Sequence, residues 1–332
     1  MDEYSPRQLS ALAVTALAAP IVTVCSAVSW QWVLLGAGAA GVFLFYIVWS
    51  ARGLTPGTGY AHLVRAAYGG AAGTAMTALY WAWLVLLTGL AASMVVVAFP
   101  QDRAFPLIPA VLLLLASLVA AKGAGAVCRF GGTLFLAVAA LLACNLVFGA
   151  GDVRLENLRP AGSSKEALGP LSILLLPAAA LFLRDRLAHR GTPYGRWYLL
   201  AAGLAVAVSV VCVGALGLPL AKASANPFWL MSRSISILGV MERFEAVISS
   251  LLSISFCCLL AFLLSAGQKA LQGMTPMLGE GTSVCCTAAL GAASMWLVPR
   301  VPAWIWCAGN LLFWGILPVV TLAVVRQRKK AK

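Results

Sequence analysis

Apolar residues run along the chain in continuous stretches, separated by short polar segments, from residue 8 to residue 325. Crossing about 30 Å of hydrocarbon takes about 20 such residues in a helix. Ten stretches fit: 8–29, 30–51, 70–99, 105–121 and 129–150, then 168–184, 196–220, 237–270, 282–298 and 302–325. The runs are continuous rather than alternating, which excludes half-buried strands. In hydrocarbon only helices and closed barrels satisfy the backbone. The pattern therefore predicts an all-α integral membrane protein of about ten transmembrane helices. It forms a single transmembrane unit over 1–332, with no soluble domain of its own.

Composition agrees. Hydrophobic residues fill 62% of the 332 positions and charged residues 10%, against roughly half and a quarter in soluble domains. The net charge of +13 is not a nucleic-acid footprint, because the basic residues are scattered between apolar runs. With the first residue placed in the cytoplasm and the loops assigned alternately, fifteen of the 23 basic residues fall inside, including Arg52, Arg65, Arg184, Arg196, Lys269 and the Arg326–Lys332 tail. Six of the ten acidic residues fall outside. By the positive-inside rule both ends of the chain are expected in the cytoplasm, and the tail reads as an anchor near anionic lipid. The opening Met1-Asp2-Glu3 is acidic before it is basic, so the first run is expected to be a retained span.

Chemistry-bearing residues are sparse. The nine cysteines form no C-x-x-C pair and mostly lie within apolar runs, where they act as small hydrophobes. The only histidines, His62 and His189, lie beside loops. No metal site or cofactor is expected. Hydrolytic, redox and nucleotide-driven chemistries find no motif.

Ten spans divide as five plus five, over about 8–150 and 168–325. Spans 1 and 6 then correspond, and both carry proline: Pro20 in the first, Pro170 and Pro177 in the sixth. Interrupted spans at matching places are the sequence pointer to a transporter binding site, although Pro318 also interrupts span 10. Ala18, Ala19, Pro20, Ile21 and Thr23 surround the expected break, where small side chains leave room for a ligand. Tyr80 of span 3 is a candidate to close that pocket, and Pro177, at the break in span 6, is a further ligand-binding candidate. Ser249, Ser253 and Cys257 form a weakly polar stripe on span 8; they either bond within the helix or border the cavity. Glu242, Arg243 and Glu245 stand at the mouth of span 8, either as helix-capping charges or as a gate and partner contact. Gly36, Ala37, Ala40 and Gly41 allow close helix approach on span 2. Trp81 and Trp83 lie too deep for an interfacial belt.

Several local sequences, in order along the chain, resemble the spore germination family of GerAB-type B subunits of endospore germinant receptors. They are Tyr4-Ser-Pro-Arg-Gln-Leu9, Tyr60-Ala-His-Leu-Val-Arg-Ala-Ala-Tyr-Gly-Gly70, Lys122-Gly123 with Arg129, Asn157-Leu-Arg-Pro160 and Met241-Glu-Arg-Phe-Glu-Ala246. The resemblance implies the amino acid–polyamine–cation permease superfamily with its LeuT-like, five-plus-five inverted-repeat fold. It implies a small nutrient ligand, an A-type membrane subunit and a C-type lipoprotein as partners, and the inner spore membrane as location. The chain departs from the family in having Ala16, Ala18 and Ala19 where glycine is usual in span 1. It also has Ala178-Ala179 where Gly-Glu is frequent in span 6. The missing carboxylate withdraws support from proton- or cation-coupled transport. Two readings stand: a ligand-binding receptor subunit, and a secondary amino-acid permease.

Overall fold

The computed structural model describes residues 3–52, 59–98, 107–186, 194–234 and 244–330. Helix α1 (Pro6–Cys25) starts at a capping box, in which Ser5 and Gln8 satisfy each other's backbone N–H groups and Pro6 occupies the first turn. It is followed by α2 (Trp30–Arg52), the short α3 (Tyr60–Tyr68), α4 (Gly70–Ala98), α5 (Leu107–Ala121) and α6 (Ala124–Gly149). Short 3-10 turns lead to α7 (Leu168–Leu174), which continues as a 3-10 stretch, Leu176–Arg186. Next come α8 (Tyr194–Leu216), the small α9 (Leu218–Ala223) and α10 (Pro227–Ser234), then α11 (Phe244–Met274) and α12 (Glu280–Ser294). The last span is α13 (Ala303–Asn310), a π-helical turn (Leu311–Ile316) and α14 (Leu317–Lys330).

Among the described residues, eight of the ten expected spans are long and apolar enough to cross a membrane. The other two, α5 and α12, have 15 residues each, about 22 Å at 1.5 Å per residue. The bundle has an inside and an outside. In α1 and in the α7–3-10 span, 83% of the apolar stretch is buried, and in α11 72%, against 39% in α2. Spans 1, 6 and 8 are therefore the central helices, and the others turn one face to lipid.

Small residues set the closest approaches. A side chain on Gly36 would meet the backbone of α7, with its Cβ 2.6 Å from the Ala167 carbonyl oxygen, and one on Gly41 would meet the Tyr198 ring of α8 at 3.0 Å. Ala37 and Ala40 are buried between them, so the small-residue face of span 2 packs as expected. Helix α3 buries Tyr60, Leu63, Val64 and Ala67, one face at helical spacing, and ends at Gly69 with φ of 90°. The π-turn lies directly ahead of Pro318. Proline removes a backbone donor and crowds the carbonyl four residues earlier, at Trp314, and the wider turn accommodates both effects.

Trp81 donates to the Thr287 hydroxyl of α12, and Trp83 donates to the Asn310 side chain while stacking on Phe313. Both deep tryptophans are thus held by neighbouring helices.

Candidate functional site

Helix α1 is continuous but its hydrogen-bond ladder is not. The Ser255 hydroxyl of α11 donates to the Thr15 carbonyl at 2.6 Å and accepts from the Ala19 N–H at 2.7 Å. In a regular helix those two groups would bond to each other, so a side chain 236 residues away is spliced into the rung. Pro20 then removes the donor for the next carbonyl, that of Ala16. Thr23 turns back to the carbonyls of Ala19 and Pro20. Two successive rungs inside α1 are therefore open or bridged, and span 6 changes from α to 3-10 beyond Leu174.

The expected unwinding of span 1 does not occur, because the bridging hydroxyl holds it helical. Ala18, Ala19 and Ile21 are buried. The space their small side chains leave is taken by α11, whose approach lets Ser255 reach the backbone.

A cavity of about 270 Å³ lies beside Pro20. Its walls come from five spans: Pro20 and Val24 of α1, Leu87 to Met94 of α4, Gly169 to Leu176 of span 6, Leu259 and Leu263 of α11, and Ala303 to Asn310 of α13. These are late residues of α1 and α4 and early residues of α7 and α13, so the cavity occupies the half of the bundle away from Tyr4. Among the described residues, Ser172, Cys307 and Asn310 are its polar side chains, Trp306 adds an indole, and the remaining lining is apolar. Among the described residues the lining contains no charged side chain. A bound molecule's polar groups would meet a hydroxyl, a thiol, an amide and backbone dipoles.

The opposite half is closed. Tyr60 and Tyr80 share a 2.9 Å hydrogen bond, and their rings pack edge-on with Phe182. Phe313 and Trp314 complete the cluster around Tyr80. Burial pushes the Tyr60 phenol above its usual range. Nearer the helix ends, Lys269 of α11 pairs with Asp185 of the 3-10 stretch at 3.0 Å, and Arg184 donates to the Ala51 carbonyl at 2.6 Å. Span 6 is thereby tied to α2 and α11 at that end.

Of the residues singled out in the sequence, Pro20 lines the cavity. Tyr80 lies in the aromatic cluster of the closed half, away from the lining. Pro177 faces a separate groove between α2 and α8. Ser249 and Ser253 are half-buried on α11, outside the cavity wall. Glu242 and Arg243 fall outside the described residues; Glu245 lies in the first turn of α11, and its side chain is not among those described. Ser255, Ser172, Cys307 and Asn310 were not anticipated. Ser255 could have been found: with Ile248, Leu251, Leu252 and Leu259 it sits on one helical face, so it had to point inward.

No family model and no curated protein sequence matches the chain. Solved structures do. One is Mhp1, a nucleobase-cation-symport-1 family transporter in a closed conformation with bromovinylhydantoin bound, at TM-score 0.61 and 15% identity over 94% of this chain and 75% of that one. Another is the substrate-bound outward-open state of a Na+-coupled sialic acid symporter, at TM-score 0.61 and 12% identity over 94% and 76%. The chain has the LeuT-like, all-helical fold of these membrane transporters, the fold expected from its two proline-bearing spans.

Proposed function

We propose that this chain binds a small, net-neutral nutrient in the cavity beside Pro20 and serves as the membrane-embedded B subunit of a spore germinant receptor. The observation that supports binding is the cavity itself. It lies where α1 and span 6 are both interrupted, its volume is just below the usual range of ligand sites, and it is lined by a few polar groups on an apolar ground. An amino-acid-like solute with an apolar side chain suits that lining. The sensor role rests on the local sequences that resemble the germination family, in particular Met241–Ala246 and Tyr60–Gly70.

A sensor that signals through partner subunits must change conformation on binding, which requires a ligand that binds two conformations unequally. The Lys269–Asp185 pair and the tyrosine cluster close one half of the bundle in this conformation, and their opening is the natural second state. The partners are an A-type membrane subunit and a C-type lipoprotein in the inner spore membrane, with both chain ends in the cytoplasm. Glu242, Arg243 and Glu245 are the proposed partner contact, so charge reversal at Arg243 should weaken co-purification with the A-type subunit. The second reading, a secondary amino-acid permease, is favoured by the fold; the uncharged cavity lining gives it no coupling carboxylate.

Ala303 is exposed and lines the cavity, so Ala303→Trp should block the cavity without disturbing the core. Ala19→Trp, by contrast, would disrupt packing at a fully buried position. Spores carrying Ala303→Trp should keep the protein in the membrane and lose the nutrient response at least tenfold in dose. Deleting either partner gene should abolish germination. An unchanged dose-response in Ala303→Trp would remove this cavity from the site. Accumulation of an amino acid by the purified chain in liposomes, with normal germination of spores lacking it, would replace the receptor with the permease.

A further inference from the structure

We propose that the groove between α2 and α8 is a specific site for one anionic phospholipid, with an acyl chain in the groove and the phosphate at Arg196. The groove encloses about 770 Å³. It is floored by α1, through Ala13, Val14 and Leu17, and by Pro177, so it reaches from the surface of the bundle to a central helix. It is hollow because small residues line the middle of its walls. Ala37, Gly38 and Gly41 on one side face Ala201 and Ala202 on the other, and a Cβ added at Gly38 would meet no atom within 4 Å. Tyr198 ties the walls together by donating to the Ala37 carbonyl. The rims, Leu34, Phe45 and Leu199, are 55%, 74% and 70% exposed, which in a membrane protein means exposed to lipid.

An apolar groove open to hydrocarbon takes up a hydrocarbon chain, because an unfilled gap forfeits dispersion contacts along its whole lining. The chemistry at one end selects the head. Arg196, Trp197 and Trp49 line that end, and the Arg326 guanidinium stacks on the Trp49 ring 4.0 Å from its centroid. Two guanidinium groups beside two tryptophans form an interfacial site for a phosphate, which arginine binds in a fork. The groove runs along most of α2, from Trp49 to Leu34, about 22 Å at helical rise, with its charged end on the Tyr4 side. A lipid there would lie against α1 opposite the face that Ser255 bridges, and against Pro177 of the interrupted span.

The test is native mass spectrometry of the purified chain released from nanodiscs of equal phosphatidylglycerol and phosphatidylcholine. One retained phosphatidylglycerol is expected. Gly38→Phe, which fills the groove, should reduce that adduct at least tenfold. Gly203→Phe adds the same ring at a lipid-facing position of α8 with open space, and should leave the adduct unchanged. Arg196→Gln should retain a lipid but lose the preference for the anionic head. Equal retention by Gly38→Phe and the parent chain would overturn the proposal, as would a parent chain with no preference between the two lipids. If Gly38→Phe does not fold, the Arg196→Gln ratio decides: an unchanged ratio contradicts the site and an evened one supports it.

Discussion

Helix α1 and the α7–3-10 span carry prolines at matching places, yet they are interrupted by different means. Span 6 changes its own winding. Pro170 and Pro177 each sit in the first turn of a helical piece, where no donor is missed, and the chain steps from α to 3-10 between them. In α1, Pro20 sits deep inside the helix, and the winding survives because Ser255 of α11 completes the neighbouring rung. One interruption is written locally. The other exists only once two helices have packed. A proline thus marks where a membrane helix is weak, and the neighbouring helix decides whether it unwinds.

Substitutions at Ser255 break that contrast most severely. Ser255→Leu would overfill a fully buried position and leave the Thr15 carbonyl and Ala19 N–H without their bridge. The combined cost is about 3–5 kcal/mol, and the variant should fail to accumulate in the membrane or should melt far below the parent in mild detergent. Ser255→Ala removes only the bridge. It should lower unfolding free energy by about 1–3 kcal/mol, and Ser255→Thr, which keeps the hydroxyl, should recover most of it. A parent-like melt for Ser255→Ala would mean that α1 closes its own rung and needs no help.

The prolines give the smaller and more diagnostic pair. Pro20→Ala restores an N–H for the Ala16 carbonyl. It should slow hydrogen exchange at residues 19 and 21 and stiffen α1, with a gain of about 1 kcal/mol and a weaker response to nutrient. Pro177→Ala, at a position with no donor to restore, should change stability by less than about 0.5 kcal/mol. Equal effects at the two prolines would erase the distinction between the spans.

The sequence made the fold legible because hydropathy is a one-dimensional property: run length gave the spans, and alternation of basic loops gave an expected orientation. The small-residue face at Gly36 and Gly41 and the face of α3 followed from helical periodicity. The site was legible only at Pro20. Ser172, Cys307 and Asn310 converge from spans far apart in the chain, and nothing local marks Ser172 and Cys307 off from other small polar residues in apolar runs. The serine stripe at Ser249 and Ser253 was chosen by spacing alone, whereas the buried face of α11 ran through Ser255, two positions on. Tyr80 has the chemistry of a pocket residue, but its ring is held by Tyr60 and Phe182, a pairing set by how α3 packs on α4.

Cys307 offers the most direct test of the central claim, that the cavity beside Pro20 holds a small nutrient. It lines that cavity, is half-buried and is a free thiol. In a variant whose other eight cysteines are replaced, a small membrane-impermeant thiol reagent should modify Cys307. A mixture of neutral amino acids at saturating concentration should slow that modification several-fold. A labelling rate that no amino acid changes would contradict the assignment of this cavity as the nutrient site.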